Sequence, residues 1–298
     1  MDTEASRPAT SQRLSSPPDL TPLLVKALLT AGLRRGGELP TTEFVLEDQA
    51  TDPDRLADYS RVCGFRLGIS LPPTYPHILG FPLAMRLMTD PGFPFPLPGL
   101  VHTRNLTVQY RPIPVDASLT IRVRADSLTP TERGREFAIR TEAYHAGTLS
   151  WEEASWYMRI ERHRRDSDEA GKPGSGSSPH TEPTGEPTAI WRIPPDAGKR
   201  YAAVSGDHNP IHRHPLGARL AGFRRPIAHG MWTMARCLAG LEGRFPSASR
   251  AKFRFRRPIP LGIKVGFGGY RTGTDGWQVA VTSLKNGKAY LTGTIEGL

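Results

Sequence analysis

Nowhere in its 298 residues does this chain carry the run of roughly 18–20 consecutive apolar residues that a membrane-spanning helix needs. It has two cysteines, Cys63 and Cys237, too few for a disulfide framework and in keeping with a reducing compartment. The N-terminus, MDTEASRPATSQRLSSPPD, lacks the apolar core of a signal peptide and carries early acids, so a cytoplasmic location is expected. Zinc-finger spacing, an RNP-type aromatic motif and a basic helix are also missing. Acid is in short supply: 39 Lys and Arg against 29 Asp and Glu leave a net charge of +10. With no nucleic-acid motif to attach it to, that surplus suits a phosphate-bearing or acidic partner as well. What is present is 38% hydrophobic content, enough for a substantial core, in a length that allows one large domain or two modest ones.

Proline and glycine, 29 and 30 residues, cluster partly in two stretches. Residues 1–20 are rich in Ser, Thr and Pro and read as a flexible N-terminal arm. HRRDSDEAGKPGSGSSPHTEPTGEPT cannot bury enough apolar surface to order itself, which predicts a disordered linker over 163–189. Two domains remain, 21–162 and 190–298.

These domains repeat one another. YSRVCGF at 59–65 matches YAAVSGD at 201–207, RPIP recurs at 111–114 and 257–260, and AYHAGTL at 143–149 matches SLKNGKA at 283–289. The offsets, 142, 146 and 140 residues, keep one order along the chain, as a duplicated unit would. Each unit opens with a short helical stretch and a Pro-bounded loop, then one substantial helix. Strand-like runs follow: LTIRVRAD, EFAIRTEAY and SWYMRIER in the first unit, AKFRFRR, KVGFGGYR, WQVAVTSL and AYLTGTI in the second. Period-two alternation broken by turns predicts antiparallel sheet, so the fold class is α+β with each sheet wrapping a helix.

The densest chemical signal is YAAVSGDHNPIHRHPLGARLAGFRRPIAHGM at 201–231. SGDHNP is a good turn in its own right, and Asp207 could serve only as a cap. Asp207, Asn209 and His212 nevertheless fall within six residues beside a Pro-fixed turn, a donor and acceptor set suited to gripping a water. The first unit lacks them: by the 142-residue offset, Phe65 and Ser70 stand at the places of Asp207 and His212. One equipped and one stripped copy predicts a catalytic half and a supporting half. His208, His212, His214 and His229 also suggest a metal, but Pro210 and Pro215 break the helix that a His pair four apart would need, so no metal is expected.

Tyr-x-x-x-Ser-Gly-Asp-x-Asn-Pro-Ile-His, followed by Gly-Phe and Ile-Ala-His-Gly-Met, resembles the signature of the MaoC-like, hydratase-2 family. With LPPTYPHILGFPLAMRLM and VHTRNLTVQYRPI in an altered first half, the chain is similar to the actinobacterial double hot-dog (3R)-hydroxyacyl-thioester dehydratases over about residues 40–162 and 190–298. The resemblance implies two hot-dog folds side by side, one chain standing for a homodimer, as a monomeric pseudo-dimer or a homodimer of such chains. It implies reversible hydration of trans-2-enoyl thioesters to (3R)-3-hydroxyacyl thioesters. Asp207 and His212 would bind the water and move its proton. The Gly230 N–H, at the start of the helix MWTMARCLAGL, would receive the thioester oxygen. Asn209, His229 and Ser205 would contact the substrate or brace the loop. Alternation in AKFRFRR puts Lys252, Arg254 and Arg256 on one face, and Arg254 and Arg256, with Arg224 and Arg225 nearby, are candidates to meet coenzyme A phosphates or an acyl carrier protein. No cofactor is expected; coenzyme A or phosphopantetheine enters only as part of the substrate.

Three other readings stay open on the sequence: a thioesterase, since hot-dog folds host hydrolases, a non-catalytic acyl-thioester-binding protein, and, most distantly, a nucleic-acid binder. PGFPFPLPGL at 91–100 is a candidate to shape the acyl tunnel. Acyl length and the choice between coenzyme A and a carrier protein are not encoded in any motif.

Overall fold

A computed structural model of the chain describes residues 10–29, 32, 34, 36–161 and 185–298. The N-terminal half runs β1 (Thr10–Leu14), α1 (Leu20–Leu29), β2 (Thr42–Gln49), α2 (Pro53–Cys63), α3 (Tyr75–Met88), β3 (Leu100–Gln109), β4 (Leu119–Thr131), β5 (Gly134–His145) and β6 (Thr148–Ile160). The C-terminal half runs β7 (Ala189–Arg192), α4 (Ala197–Ser205), α5 (Pro210–Arg213), α6 (Pro215–Leu220), α7 (Gly230–Gly240), β8 (Ser249–Phe255), β9 (Lys264–Thr272), β10 (Gly276–Ser283) and β11 (Ala289–Gly297).

All the strands join in one sheet of order β1-β2-β4-β5-β6-β3-β8-β11-β10-β9-β7. Apart from β1 the order is a palindrome about the antiparallel β3–β8 pair, so two hot-dog sheets meet edge to edge. Leu106 faces Lys252 at the centre of that pair, with Asn105 against Phe253 and Thr107 against Ala251. The 146-residue offset maps 105 onto 251 and 107 onto 253, so a pseudo-dyad passes between Leu106 and Lys252. Central helix α3 packs on β2, β4 and β5, and Gly80 lets it approach Thr141 more closely than any Cβ would permit.

The repeated motifs occupy equivalent places. α2 and α4 both end on a left-handed glycine, Gly64 (φ 84°) and Gly206 (φ 82°), which a side chain would strain. Tyr59 and Tyr201, buried on those helices, meet with ring centroids 6.3 Å apart. The two RPIP segments close the same bridge: Leu71 N–H donates to Ile113 O at 2.8 Å and Ala228 N–H to Ile259 O at 2.8 Å.

That bridge corrects the predicted alignment. Ser70 pairs with Pro114 as Ile227 pairs with Pro260, so Ser70 is the counterpart of Ile227, not of His212. Between the left-handed glycine and the bridge the C-terminal half holds about fifteen more residues, those that form α5 and α6. His212 therefore lies on an insertion with no counterpart.

Three further expectations change. The arm of residues 1–20 gives way at Thr10–Leu14, which pairs parallel with β2 and is held by an Arg13–Glu47 ion pair at 2.9 Å; residues 1–9 lie outside the described residues. Most of the predicted linker, 163–184, also lies outside them, but its end docks on β9, where the Tyr270 hydroxyl donates to Glu186 O at 2.8 Å and the Thr188 hydroxyl to Phe267 O at 3.2 Å. Phe93 and Phe95, proposed for a tunnel, are 1% exposed and pack on Phe137, with ring centroids at 5.1 and 5.4 Å. They are core.

Candidate active site

α4 ends at Gly206 and releases the chain into a loop fixed by local hydrogen bonds. The buried Ser205 hydroxyl accepts the Asp207 N–H at 3.1 Å, and the Asp207 carboxylate accepts the Asn209 N–H at 3.2 Å. Asn209 caps α5, its side-chain oxygen accepting the Ile211 N–H at 3.3 Å. Ser205 and Asn209 thus shape the loop. From the other half, the Arg55 Nε–H donates to Val204 O at 2.9 Å, holding the end of α4.

The insertion brings His212 back over this loop. Its Nδ1 lies 2.9 Å from Ile227 O, so Nδ1 carries the proton and Nε2 keeps a free lone pair. His229, the residue before α7, stacks on it with ring centroids 3.7 Å apart at 28°. His229 Nε2 faces Asp207 O at 3.1 Å and must donate there, leaving a buried Nδ1 with no partner among the described residues. It also sits 3.7 Å from the Asp207 carboxylate. His229 braces the loop and packs against the His212 ring.

Electrostatics sort the roles. Burial lowers the His212 ring below its ordinary value of 6.5, and Asp207 and the Ile227 carbonyl only partly offset this, so it stays neutral at neutral pH. His229 is pushed to about 3 by burial and then by the neighbouring His212. Burial alone would raise the Asp207 carboxyl, but His229, His212 and the Asn209 N–H outweigh it and hold it below the usual carboxylate range. An ionised carboxylate, with 34% of its side chain still open, therefore faces a neutral imidazole base.

Gly230 opens α7, and its N–H has no acceptor among the described residues. A Cβ there would sit 3.0 Å from the Phe255 ring, so a side chain at this position would need that ring to shift by a few tenths of an ångström. Counted on from the shared bridge, Pro72 and Pro73 stand where His229 and Gly230 do, and neither proline has an N–H to give. The N-terminal half thus lacks the carboxylate, the histidine and the donor.

Asp207, His212 and His229 each offer one ligand atom within 4.8 Å of the others, a donor set that suits a divalent metal by residue type. Ring nitrogens bind metals in the ring plane, however, and the His212 and His229 rings are stacked face to face, an arrangement that does not favour a shared ion.

Arg254 and Arg256 are not brought to this cluster. Phe255 turns inward to Gly230, so Arg254 lies on the opposite, exposed face of the sheet. There it stands directly across from Arg104 and has no hydrogen-bond or ion-pair partner among the described residues. The sequence reading missed a second set of buried groups, His77, His102, Asn105 and Glu153. Strand parity was the available signal, because Trp151, Glu153 and Ser155 share the inward face of β6.

The chain matches the MaoC like domain over residues 175–289. It is 38% identical over 264 residues to 3-hydroxyacyl-thioester dehydratase X of Mycobacterium tuberculosis, an alignment covering 89% of this chain and 92% of that one. A crystal structure of HtdX from that organism superposes with a TM-score of 0.75 at 36% identity, covering 86% of this chain and 100% of the other. Over 153 residues, 48% of this chain and 49% of the relative, it is 29% identical to the peroxisomal enoyl-CoA hydratase 2 of Arabidopsis thaliana.

Proposed function

This chain belongs to the MaoC-like dehydratase family, and on that premise we propose that Asp207 and His212 hold one water and move its proton on and off an acyl thioester. The protein is a hydratase/dehydratase of fatty-acyl metabolism with a double hot-dog fold. The observation that carries the site assignment is the pairing of an ionised Asp207 with a neutral His212 whose Nδ1 is committed to Ile227 O.

In the hydration direction the water donates one hydrogen bond to the Asp207 carboxylate and one to His212 Nε2. His212 takes a proton as the water oxygen bonds to carbon 3 of a trans-2-enoyl thioester. Electron density moves to the thioester oxygen, where the Gly230 N–H and the start of α7 stabilise it. The imidazolium then returns its proton to carbon 2, giving the (3R)-3-hydroxyacyl product and restoring a neutral His212. Dehydration runs the same steps backwards. Side chains and one N–H handle every charge, so the reading includes no resident metal or cofactor.

Coenzyme A or the phosphopantetheine of an acyl carrier protein would carry the acyl group, with Arg254, Arg256 and Arg104 as the basic patch for its phosphates or for an acidic carrier surface. This is preferred to a nucleic-acid partner, since the patch sits on a sheet face with no groove-reading element beside it among the described residues. One chain supplies both hot-dog units, so a monomer suffices, alone or paired in a homodimer. Among the described residues no helix is long and apolar enough to cross a membrane; a cytoplasmic enzyme is the proposal.

The test is Asp207→Asn and His212→Ala, assayed by loss of enoyl-thioester absorbance alongside release of free thiol. Each should lower hydration by on the order of 10²–10⁴, the usual worth of a proton-handling group, with melting unchanged. Thiol release in the parent enzyme instead of hydration would favour a thioesterase.

A further inference from the structure

The interior of the N-terminal half contains a polar network that the fold does not require. On the inward face of β3 and β6, Asn105, Thr107, Glu153 and Ser155 are all 5% exposed or less. The Asn105 side-chain amide donates to the Glu153 carboxylate and to the Ser155 hydroxyl at 3.0 Å, and the Ser155 hydroxyl donates to Glu153 at 2.7 Å. His77, on the first turn of α3, places Nδ1 2.8 Å from the same carboxylate. The pseudo-dyad identifies their counterparts in the C-terminal half: Ala251 and Phe253 on β8, Gly293 and Ile295 on β11. The same sheet, at the same positions, packs with apolar residues and glycine on the side that carries the reaction. A buried charged pair gains little stability over well-packed apolar residues, so its presence in one copy alone needs another reason.

Its position supplies one. Asn105 also touches Met231 Sδ at 3.6 Å, one residue beyond Gly230. The His77 ring lies 6.0 Å from Phe81, which approaches Gly206 just before Asp207. The network thus borders the Asp207–His212 cluster from the opposite half. His77 keeps 12% of its side chain open against 1% for Glu153, and its Nε2 has no partner among the described residues. Close by, His102 stacks on Tyr157 and meets the Phe255 ring tilted at 53°, and its buried Nε2 likewise has no partner among the described residues.

We propose that His77, held by Glu153 and Asn105, is a specificity residue whose Nε2 binds an oxygen function, a hydroxyl or oxo group, on the distal acyl chain of the substrate. The inference rests on the hydratase reading of Asp207 and His212. Glu153 fixes the ring by its Nδ1 side and leaves Nε2 aimed away from the carboxylate. Burial would lower this histidine, and Glu153 outweighs it and raises it above its ordinary value, which favours a proton on Nε2. An all-hydrocarbon chain would leave that donor desolvated and unpaired, which is how a polar site rejects an apolar analogue.

The experiment compares trans-2-dodecenoyl-coenzyme A with versions bearing one hydroxyl at successive carbons beyond the fourth. At one or more positions the wild-type kcat/KM should exceed that of the unsubstituted chain by about tenfold or more, the scale of a hydrogen bond to a charged group. His77→Leu should bring the ratio to near one, and His77→Gln, which keeps a polar end, should retain part of it. A merely structural role would depress both substrates alike and leave the ratio intact, which overturns the proposal. Should His77→Leu fail to fold, Glu153→Gln should still cut the ratio several-fold. Calorimetric binding of dodecanoyl-coenzyme A and its hydroxylated forms decides the point without turnover. No preference at any position sinks the proposal, whereas absence of turnover on every chain sinks the hydratase reading instead.

Discussion

Position for position, the pseudo-dyad gives Asn105 the counterpart Ala251, Thr107 the counterpart Phe253, Glu153 the counterpart Gly293 and Ser155 the counterpart Ile295. They also part at the loop after the left-handed glycine, where the C-terminal half carries α5 and α6 and the N-terminal half runs straight on to its bridge. The frame of strands, bridges and paired helices survives both differences. What the comparison teaches is that the hot-dog frame constrains backbone pairing strictly and interior chemistry loosely, so each half could be fitted to its own task. The C-terminal half holds the Asp207–His212 pair on its extra loop; the N-terminal half has prolines where His229 and Gly230 stand and carries the buried polar set.

The largest effect should come from making the catalytic helix start resemble its counterpart. Gly230→Pro removes the N–H, as at Pro73, while Gly230→Ala keeps it; both add a Cβ against Phe255 at the same 3.0 Å. The proline variant should fall on the order of 10²–10³ below the alanine variant in kcat, the worth of one oxyanion donor. Equal rates would remove Gly230 N–H from the mechanism.

A smaller, pH-dependent effect separates the histidines of the two halves. His212 is shifted below 6.5, mainly by burial, and His77 above it, by Glu153 acting against burial. The base is active when neutral, so kcat/KM should be full at neutral pH and fall about tenfold per unit only below the lowered His212 value. An acid limb centred above 6.5 would point to control by His77 instead.

The smallest effect concerns the seam itself. Arg104 and Arg254 oppose one another across β3 and β8, although Arg104 is paired with Glu136 at 2.7 Å and lies 4.2 Å over the Trp156 ring. Arg254→Glu should raise KM for a coenzyme A thioester a few-fold, less so at high salt, while stabilising the sheet by about 0.2–1 kcal/mol through removal of a like-charge pair. An unchanged KM with raised melting temperature would leave the patch without a role in carrier binding.

Much of this was readable in the residues. Strand runs such as LTIRVRAD and WQVAVTSL alternate cleanly because one face is buried, and β4 and β10 form over them. The repeat was visible in three short strings, and the reacting pair in SGDHNPIH, because turn and capping chemistry is local and forces those residue types close together. β1 and β7 escaped notice, since a four- or five-residue edge strand has too little pattern to distinguish it from a polar tail. The alignment of Ser70 with His212 failed for a related reason: a fixed offset cannot see an insertion that lies between two matched motifs.

By itself the sequence determined the duplicated α+β plan and singled out Asp207 and His212 as the pair proposed to carry the chemistry, all of which rest on neighbours within a few residues or on simple periodicity. The tertiary structure alone decided which nitrogen of His212 is free, through the carbonyl of Ile227 fifteen residues away, and that His229 stacks instead of ligating. It alone joined His77, Asn105 and Glu153, drawn from a helix and two strands, into one buried set beside Met231. Contacts between distant segments depend on how the sheet curls and where its helices settle, and no local pattern records that.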